Sequence, residues 1–420
     1  MNPLFDRRLF VPDGEAHVMP DGRLYVYGSR DRSGAAAYCS GQYHVLSTND
    51  PQLEHWVDHG VSFEASPQCL GPLYQPDTVL YAPDALYRNG RYYLYYCTST
   101  GAEGVAEAAS PAGPFGGSCP VTGASGTGID PAVFMDDDGS VYYLWGQFRL
   151  HGARLKEDMC SIDEATHVPE LLTEEEHGFH EGASLRKRNG KYYLLYTSTR
   201  RGSARCLAYA MADHPLGPYH ECGVVVDNTG CDPASWNDHG SMECFHGQWY
   251  VFYHRSSQNS MFSRRLCAEK IFFDADGRIA EVRMTTGGAA GAPDACCWLD
   301  GGRASRVGGG YIQPDDGGLE KLTGFPAAAE SVWPSWAEFH TLQFGDGVGS
   351  VQAEVRGRGR LVFLVENAQV LATLPVDQAE FAVCRAAVRP VQGEHTLWVR
   401  FEGEGLELRR FAFARHTEED

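Results

Sequence analysis

The sequence predicts an all-β protein: a five-bladed β-propeller over residues 1–300, followed by a β-sandwich over residues 301–420. Three observations predict it. One hairpin pattern recurs five times in about the first 260 residues, the chain carries 48 glycines and 22 prolines, and after Gly301 the texture changes to short alternating runs. Glycine and proline at that density supply the tight turns of an all-β architecture. With 420 residues, 43% apolar and 12% aromatic, the chain can bury two moderate cores and does not have the composition of a disordered one.

Each repeat is a strand, a turn ending in glycine, and an aromatic-rich strand. The copies read HVMPDGRLYVYGS from His17, APDALYRNGRYYLYY from Ala82, DPAVFMDDDGSVYYLWG from Asp130, EGASLRKRNGKYYLLYTS from Glu181 and HGSMECFHGQWYVFYH from His239. The turns are Asp21-Gly22, Asn89-Gly90, Asp138-Gly139, Asn189-Gly190 and His246-Gly247. Asp-Gly and Asn-Gly favour the type I′ turn, whose twist matches that of a hairpin. The Tyr, Val, Leu and Trp that follow are strong strand formers. The turn glycines are spaced by 68, 49, 51 and 57 residues, room for about four short strands with their loops, which is one blade. SPAGPF from Ser110 and HPLGPY from His214 echo each other after two of the hairpins.

The stretch GGRASRVGGGYIQPDDGG from Gly301 reads as a domain boundary. Beyond it VQAEVRG, GRLVFLVEN, HTLWVRFEG and LELRRFAFA alternate apolar and polar residues, a sandwich pattern.

A net charge of −20 argues against nucleic acid, whose phosphates demand Lys and Arg, and against a polybasic membrane contact. No run approaches the length of a membrane-spanning helix. A neutral substrate is the simpler expectation. MNPLFDRRLFVPDGE lacks the apolar centre of a signal peptide, and thirteen irregularly spaced cysteines without C-x-x-C read as reduced thiols, so a cytoplasmic location is expected. Neither a P-loop nor G-x-G-x-x-G nor H-E-x-x-H occurs, and no nucleotide cofactor is expected.

Nine residues before the turn glycines stand Asp13, Tyr81, Asp130, Glu181 and Asp238. Equivalent positions in equivalent blades share one radius and one depth, so these side chains should converge at the mouth of the channel. Like charges held close raise one another's pKa, which is unfavourable unless the site uses it. Glycoside hydrolysis uses such a pair: one protonated carboxyl for the leaving oxygen, one ionised carboxylate to activate water or attack. The competing readings are acids that cap local turns and a sugar-binding propeller without catalysis.

The same segments, joined by FVPDGEAHVMPDG before them and GTGIDPAVFMDDDG between them, resemble glycoside hydrolase family 43 over about the first 290 residues. The resemblance implies a five-bladed propeller that hydrolyses with inversion, mostly as a β-xylosidase, α-L-arabinofuranosidase or arabinanase. It implies Asp13 as general base, Glu181 as general acid, and Asp130 as the acid that orients Glu181 and tunes its pKa. Two departures stand out. Gly14 follows Asp13 where the family usually has proline, and strand alternation would put Glu15 on the face of Asp13, as a rival base or substrate contact. The family's Trp-Ala-Pro is here Tyr81-Ala82-Pro83, which makes Tyr81 the expected wall of the sugar pocket.

By the same resemblance His239 lies at the propeller centre, near a calcium or other cation, with no cofactor required. Arg264 in MFSRRLCAE looks like the family arginine that reaches the pocket, with Arg265 as its neighbour. The C-terminal part is loosely similar to a family 6 carbohydrate-binding module through YIQ, WAEFHTLQFGDG and EHTLWVRFEG, where Trp333, Trp336 and Trp398 either stack on sugar or pack a core. The expected activity is that of an inverting, exo-acting α-L-arabinofuranosidase or β-xylosidase on short plant-type oligosaccharides, with another glycosidase, such as a galactosidase, as the alternative. Specificity should come from the mouth loops 32–80, 147–178 and 199–236. Oligomeric state is not legible in the sequence.

Overall fold

The structure, a computed structural model, describes residues 1–124, 128–315, 320–324 and 335–415. Five antiparallel sheets form the propeller. Blade I contains Glu15–Val18, Leu24–Gly28, Gln42–Thr48 and Val57–Glu64; blade II contains Asp84–Arg88, Arg91–Cys97, Glu103–Ala108 and Gly116–Pro120. Blade III contains Ala132–Met135, Val141–Trp145, Arg149–Leu155 and Ile162–Thr173; blade IV contains Phe179–Arg188, Lys191–Ser198, Cys206–Ala212 and His220–Asp227. Blade V has three strands, Ser241–Phe245, Gln248–Ser257 and Ser260–Ile271.

The first strand of each blade is innermost, and the repeated hairpin joins it to the second. In blades II, IV and V the turn is type I′ in character, with Asn89, Asn189 and His246 left-handed at φ 51°, 49° and 50° ahead of their glycines. The other two turns differ from expectation. At Asp21-Gly22 and Asp138-Gly139 only the glycine is left-handed, at φ 78° and 81°, and its N–H bonds back to Met19 O and Asp136 O. These are longer connections, a type I turn closed by a glycine; Pro20 already sets the φ that such a turn requires.

Five apolar cores lie between neighbouring blades and close the ring. Leu24 and Val26 pack with Phe252 and Leu266, joining I to V; Tyr27 packs with Leu94 and Tyr96, joining I to II. Tyr95 and Tyr143, Leu144 and Leu194, and Tyr193 and Tyr253 share the cores at the remaining three junctions. The aromatic second strands seen in the repeats are thus the mortar between blades, each buried ring contributing about 1.5–3 kcal/mol. The N-terminal segment lies along the outer edge of blade V: Leu4 N donates to Leu266 O at 2.9 Å, and Ala268 N to Asn2 Oδ1 at 2.9 Å. Chain start and last blade are thereby stapled.

Among the described residues the C-terminal unit is a nearly closed antiparallel sheet of eight strands, built around Ser335–Gln343, Ser350–Val365, Gln369–Ala387 and Glu394–Ala414. Phe339, Phe363, Phe411 and Phe413 fill it edge to face. Its packing takes in Ala295 and Leu299, a few residues ahead of Gly301. Trp336 and Trp398 are half-buried, and the Trp336 ring lies so close over Gly308 that a Cβ there would come within 2.4 Å of it. Trp333 lies outside the described residues. Buried Arg265 pairs with Glu320 of this unit, tying it to blade V. Among the described residues no helix is long and apolar enough to cross a membrane.

Candidate active site

In blades I, II, III and V the inner strand begins just after the nine-residue offset position, whereas in blade IV Glu181 lies inside the strand Phe179–Arg188; backbone twist at these points aims the side chains. Asp13 and Asp130 are left-handed, at φ 55° and 51°, and Gly182, directly after Glu181, has φ 66°. A register shift on either side of Glu181 marks the accompanying bulge. The result is convergence: Asp13 from the entry to blade I, Tyr81 from II, Asp130 from III, Glu181 from IV, and His239 and Arg264 from V line one pocket of about 220 Å³. Larger clefts exist, including one of about 470 Å³ near Leu4 and Trp56, but its acids, Asp6, Glu54 and Asp58, are exposed, whereas Asp13, Asp130 and Glu181 are buried.

Asp238, the fifth offset residue, does not join them. It is fully buried, its Oδ1 accepts from His254 N at 3.0 Å, and its neighbour His239 faces the pocket instead. Glu15 is a second correction. It does not line the pocket; its Oε1 accepts from Ser184 Oγ at 2.8 Å and from Arg186 Nη2 at 2.7 Å, in a polar layer further along the channel. Alternation required extended backbone from 13 to 15, and the left-handed Asp13 breaks it.

Asp13 is buried, and burial alone would raise its pKa. The Arg264 guanidinium, with Nη1 2.7 Å from Oδ1, acts with His254 and His239 to more than offset this, and together they hold the carboxyl below the usual carboxylate range. Arg264 is itself fixed: Asp31, fully buried, accepts from its backbone N at 3.0 Å, its Nε at 2.9 Å and its Nη2 at 3.1 Å. The guanidinium also lies 4.6 Å from the Tyr38 ring centroid. Arg265, one residue on, faces the other way to its pair with Glu320.

Asp130 is shifted in the opposite direction. Burial first, then the nearby charges of Glu181 and Asp13, raise it well above the ordinary range. Its backbone N–H donates to Cys97 Sγ at 3.3 Å, and the Gly182 N–H bonds its carboxyl. Glu181 accepts from Gln147 Nε2 at 2.7 Å. The pocket therefore holds one carboxyl, Asp13, kept ionised beside another, Asp130, that burial and the neighbouring charges push toward its protonated form. His239 Nδ1 stands 3.9 Å from Asp13 Oδ1 and 3.8 Å from Asp130 Oδ2, and burial lowers its pKa.

Among the described residues, one group of three could gather about a cation: Glu15, His17 and Asp84, with ligand atoms within 4.8 Å of one another. Its donors are already engaged. Arg186 neutralises Glu15, and both Asp84 oxygens accept backbone N–H groups, from Ala85 and Val133, at 2.6 Å. That group does not fit a resident metal. At His239, where the sequence placed a cation, the protein offers one imidazole already facing two acids, one of which is bonded to Arg264.

Sequence reasoning missed Asp31, His254 and Gln147. Asp31 and Arg264 are 233 residues apart, and no local pattern links them. His254, whose Nδ1 is 3.4 Å from Asp13, sits in the second strand of the fifth repeat, where only its polarity amid VFYHR set it apart.

The chain is also similar to known proteins of one family. The family described as glycosyl hydrolases family 43 matches residues 8–279. A xylosidase/arabinosidase from Thermoclostridium stercorarium is 30% identical over 96% of this chain and 96% of its own length; one from Bacteroides ovatus is 31% identical over 66% and 98%. Among solved structures, a family 43 β-xylosidase/α-arabinofuranosidase from a compost metagenome, in complex with xylotriose and calcium-free, superposes with a TM-score of 0.57 at 29% identity, covering 67% of this chain and 97% of that one. An arabinoxylan arabinofuranohydrolase from Bacillus subtilis, 22% identical with a TM-score of 0.57, covers 99% of this chain and 97% of its own, a likeness of fold through both units. The family match ends before the C-terminal unit, whose resemblance to a family 6 module gains no support from it.

Proposed function

The chain belongs to glycosyl hydrolases family 43 and is a glycosidase, and we propose that it is an inverting, exo-acting α-L-arabinofuranosidase and/or β-xylosidase that removes single pentose units from short plant-type oligosaccharides. In this reading Asp13 draws a proton from a water on one face of the sugar while Glu181 protonates the leaving oxygen on the other, and Asp130 orients Glu181 and sets its acidity. Tyr81 walls the sugar pocket, and Arg264 keeps Asp13 ionised. The observation that carries the reading is the convergence of three acids from three blades on one small pocket, one of them held as a carboxylate by a buried arginine.

Exo action is supported by size. About 220 Å³ is below the roughly 300–1,000 Å³ of pockets that enclose drug-sized ligands, and suits one monosaccharide. The pentose assignment is supported by the names of the relatives and by the xylotriose bound in the metagenome enzyme. A cation at His239 would be held by one imidazole nitrogen and by water; the proposed reaction runs through the carboxyl groups. A cytoplasmic location belongs to the same proposal, supported by thirteen cysteines that are all free thiols. Nitrophenyl arabinofuranoside, xyloside and galactoside compared side by side test the sugar, and NMR of the first-formed product anomer tests inversion. Preference for the galactoside, or a product that retains the anomeric configuration, would overturn the corresponding part.

A further inference from the structure

Large apolar side chains exposed to water include Phe148, at 47%, and Trp236, at 41%. Both stand beside the same residue, His180, the immediate neighbour of Glu181. The His180 ring meets Phe148 edge-on at 5.1 Å between centroids and Trp236 edge-on at 5.5 Å. His180 is pinned by a 2.7 Å bond from Nδ1 to Glu174 Oε1, and its Nε2 is buried without a partner. Trp236 also lines the acid pocket, and Gln147, adjacent to Phe148, holds Glu181.

Phe148 is held at a disadvantage. Its backbone is left-handed at φ 63°, a conformation unfavourable for a bulky residue. Two backbone bonds keep it there: Phe148 N donates to His180 O at 2.8 Å, and Glu174 N to Phe148 O at 2.9 Å. A strained backbone that presents an apolar ring to solvent has no packing reason. It has a reason if something else covers the ring.

The reaction supplies the direction. The leaving oxygen takes its proton from Glu181, so the departing group must extend from the pocket on the Glu181 side, where Phe148, His180 and Trp236 lie. The apolar C–H face of a sugar ring leaves water readily against an aromatic surface. We propose that Phe148 and Trp236, braced by His180, form the platform that receives the leaving sugar, and so select substrates whose leaving group is itself a glycosyl ring. This rests on the pentosidase reading above.

The test compares kcat/KM for β-1,4-xylobiose with that for methyl β-D-xyloside in wild type, Trp236→Ala, Trp236→Phe and Phe148→Gly. The two substrates share the glycone and an alkoxide leaving group that needs acid assistance; only xylobiose has a second ring. Trp236→Ala and Phe148→Gly should each lower the xylobiose-to-methyl-xyloside ratio about tenfold, equivalent to about 1.4 kcal/mol, and Trp236→Phe should restore most of it. Phe148→Gly should also keep or raise the melting temperature, because glycine takes the left-handed backbone without strain. An unchanged ratio in both ring-removing variants overturns the platform. Equal losses on both substrates also overturn it, because the rings would then act through Gln147 and Glu181. Wild type inert on both xylosides would instead overturn a β-xyloside as the substrate, and this assignment with it.

Discussion

Arg264→Met isolates what the arginine does for Asp13, the proposed base. The side chain keeps its bulk and loses its charge. At about 4 Å between charge centres and an effective dielectric of about 20, the attraction between Arg264 and Asp13 is worth about 4 kcal/mol, or about a thousandfold in the protonation equilibrium of Asp13. Burial, the largest single influence on Asp13, would then be opposed only by the histidines and would raise the Asp13 carboxyl. In wild type Asp13 is held ionised. In the variant it takes up a proton as pH falls, so the acid limb of the kcat/KM profile moves upward and the variant loses far more activity at pH 5 than at pH 8. Two buried carboxylates, Asp13 and Asp31, also lose their partner, and the fold should lose about 3–5 kcal/mol, read by urea unfolding. Arg264→Lys is the control: it keeps the charge but not the fork that grips Asp31, so the acid limb should stay near its wild-type position while turnover falls. A Met variant whose profile is lowered evenly at every pH would refute the claim that Arg264 keeps Asp13 ionised.

Gly182→Ala should lower kcat about a hundredfold with a modest fall in melting temperature: a Cβ there would lie 2.9 Å from Thr197 Oγ1 and 3.0 Å from the His239 ring, at φ 66°, and would displace Glu181; wild-type kcat would count against the bulge as the device that aims the acid. Arg186→Met should cost about 3–5 kcal/mol in urea unfolding, because Glu15 and Glu243 would be left without their buried cation; a loss below about 1 kcal/mol would mean that this polar layer does not hold the blades together. Glu103→Gln tests a carboxyl whose pKa burial pushes up to about 8. A raised carboxyl contributes stability that is full below about pH 4.5 and is lost as pH climbs through about 8, so the variant should gain on wild type by on the order of a few kcal/mol between pH 5 and pH 9. A constant gap between their melting curves over that range would contradict it.

The blade count and most of the acid set were decided by the sequence, because both are periodic. Turn glycines recur where a left-handed residue is obligatory, and a fixed offset from them names Asp13, Tyr81, Asp130 and Glu181 before any coordinates exist. Periodicity speaks only of positions that stay equivalent. It failed at Asp238, where the pocket-facing role passes to His239, and at Glu15, where one left-handed residue ends the alternation that strand logic assumes. Only the tertiary structure could decide the partners: Asp31 reaching Arg264 across 233 residues, and His180 set between Phe148 and Trp236 from two separate mouth loops. The physical reason is the range of the interactions. Turn chemistry and strand propensity act between neighbours in the chain, whereas the charge pairing that tunes Asp13 and the aromatic contacts at the rim act between groups that meet only when the ring closes.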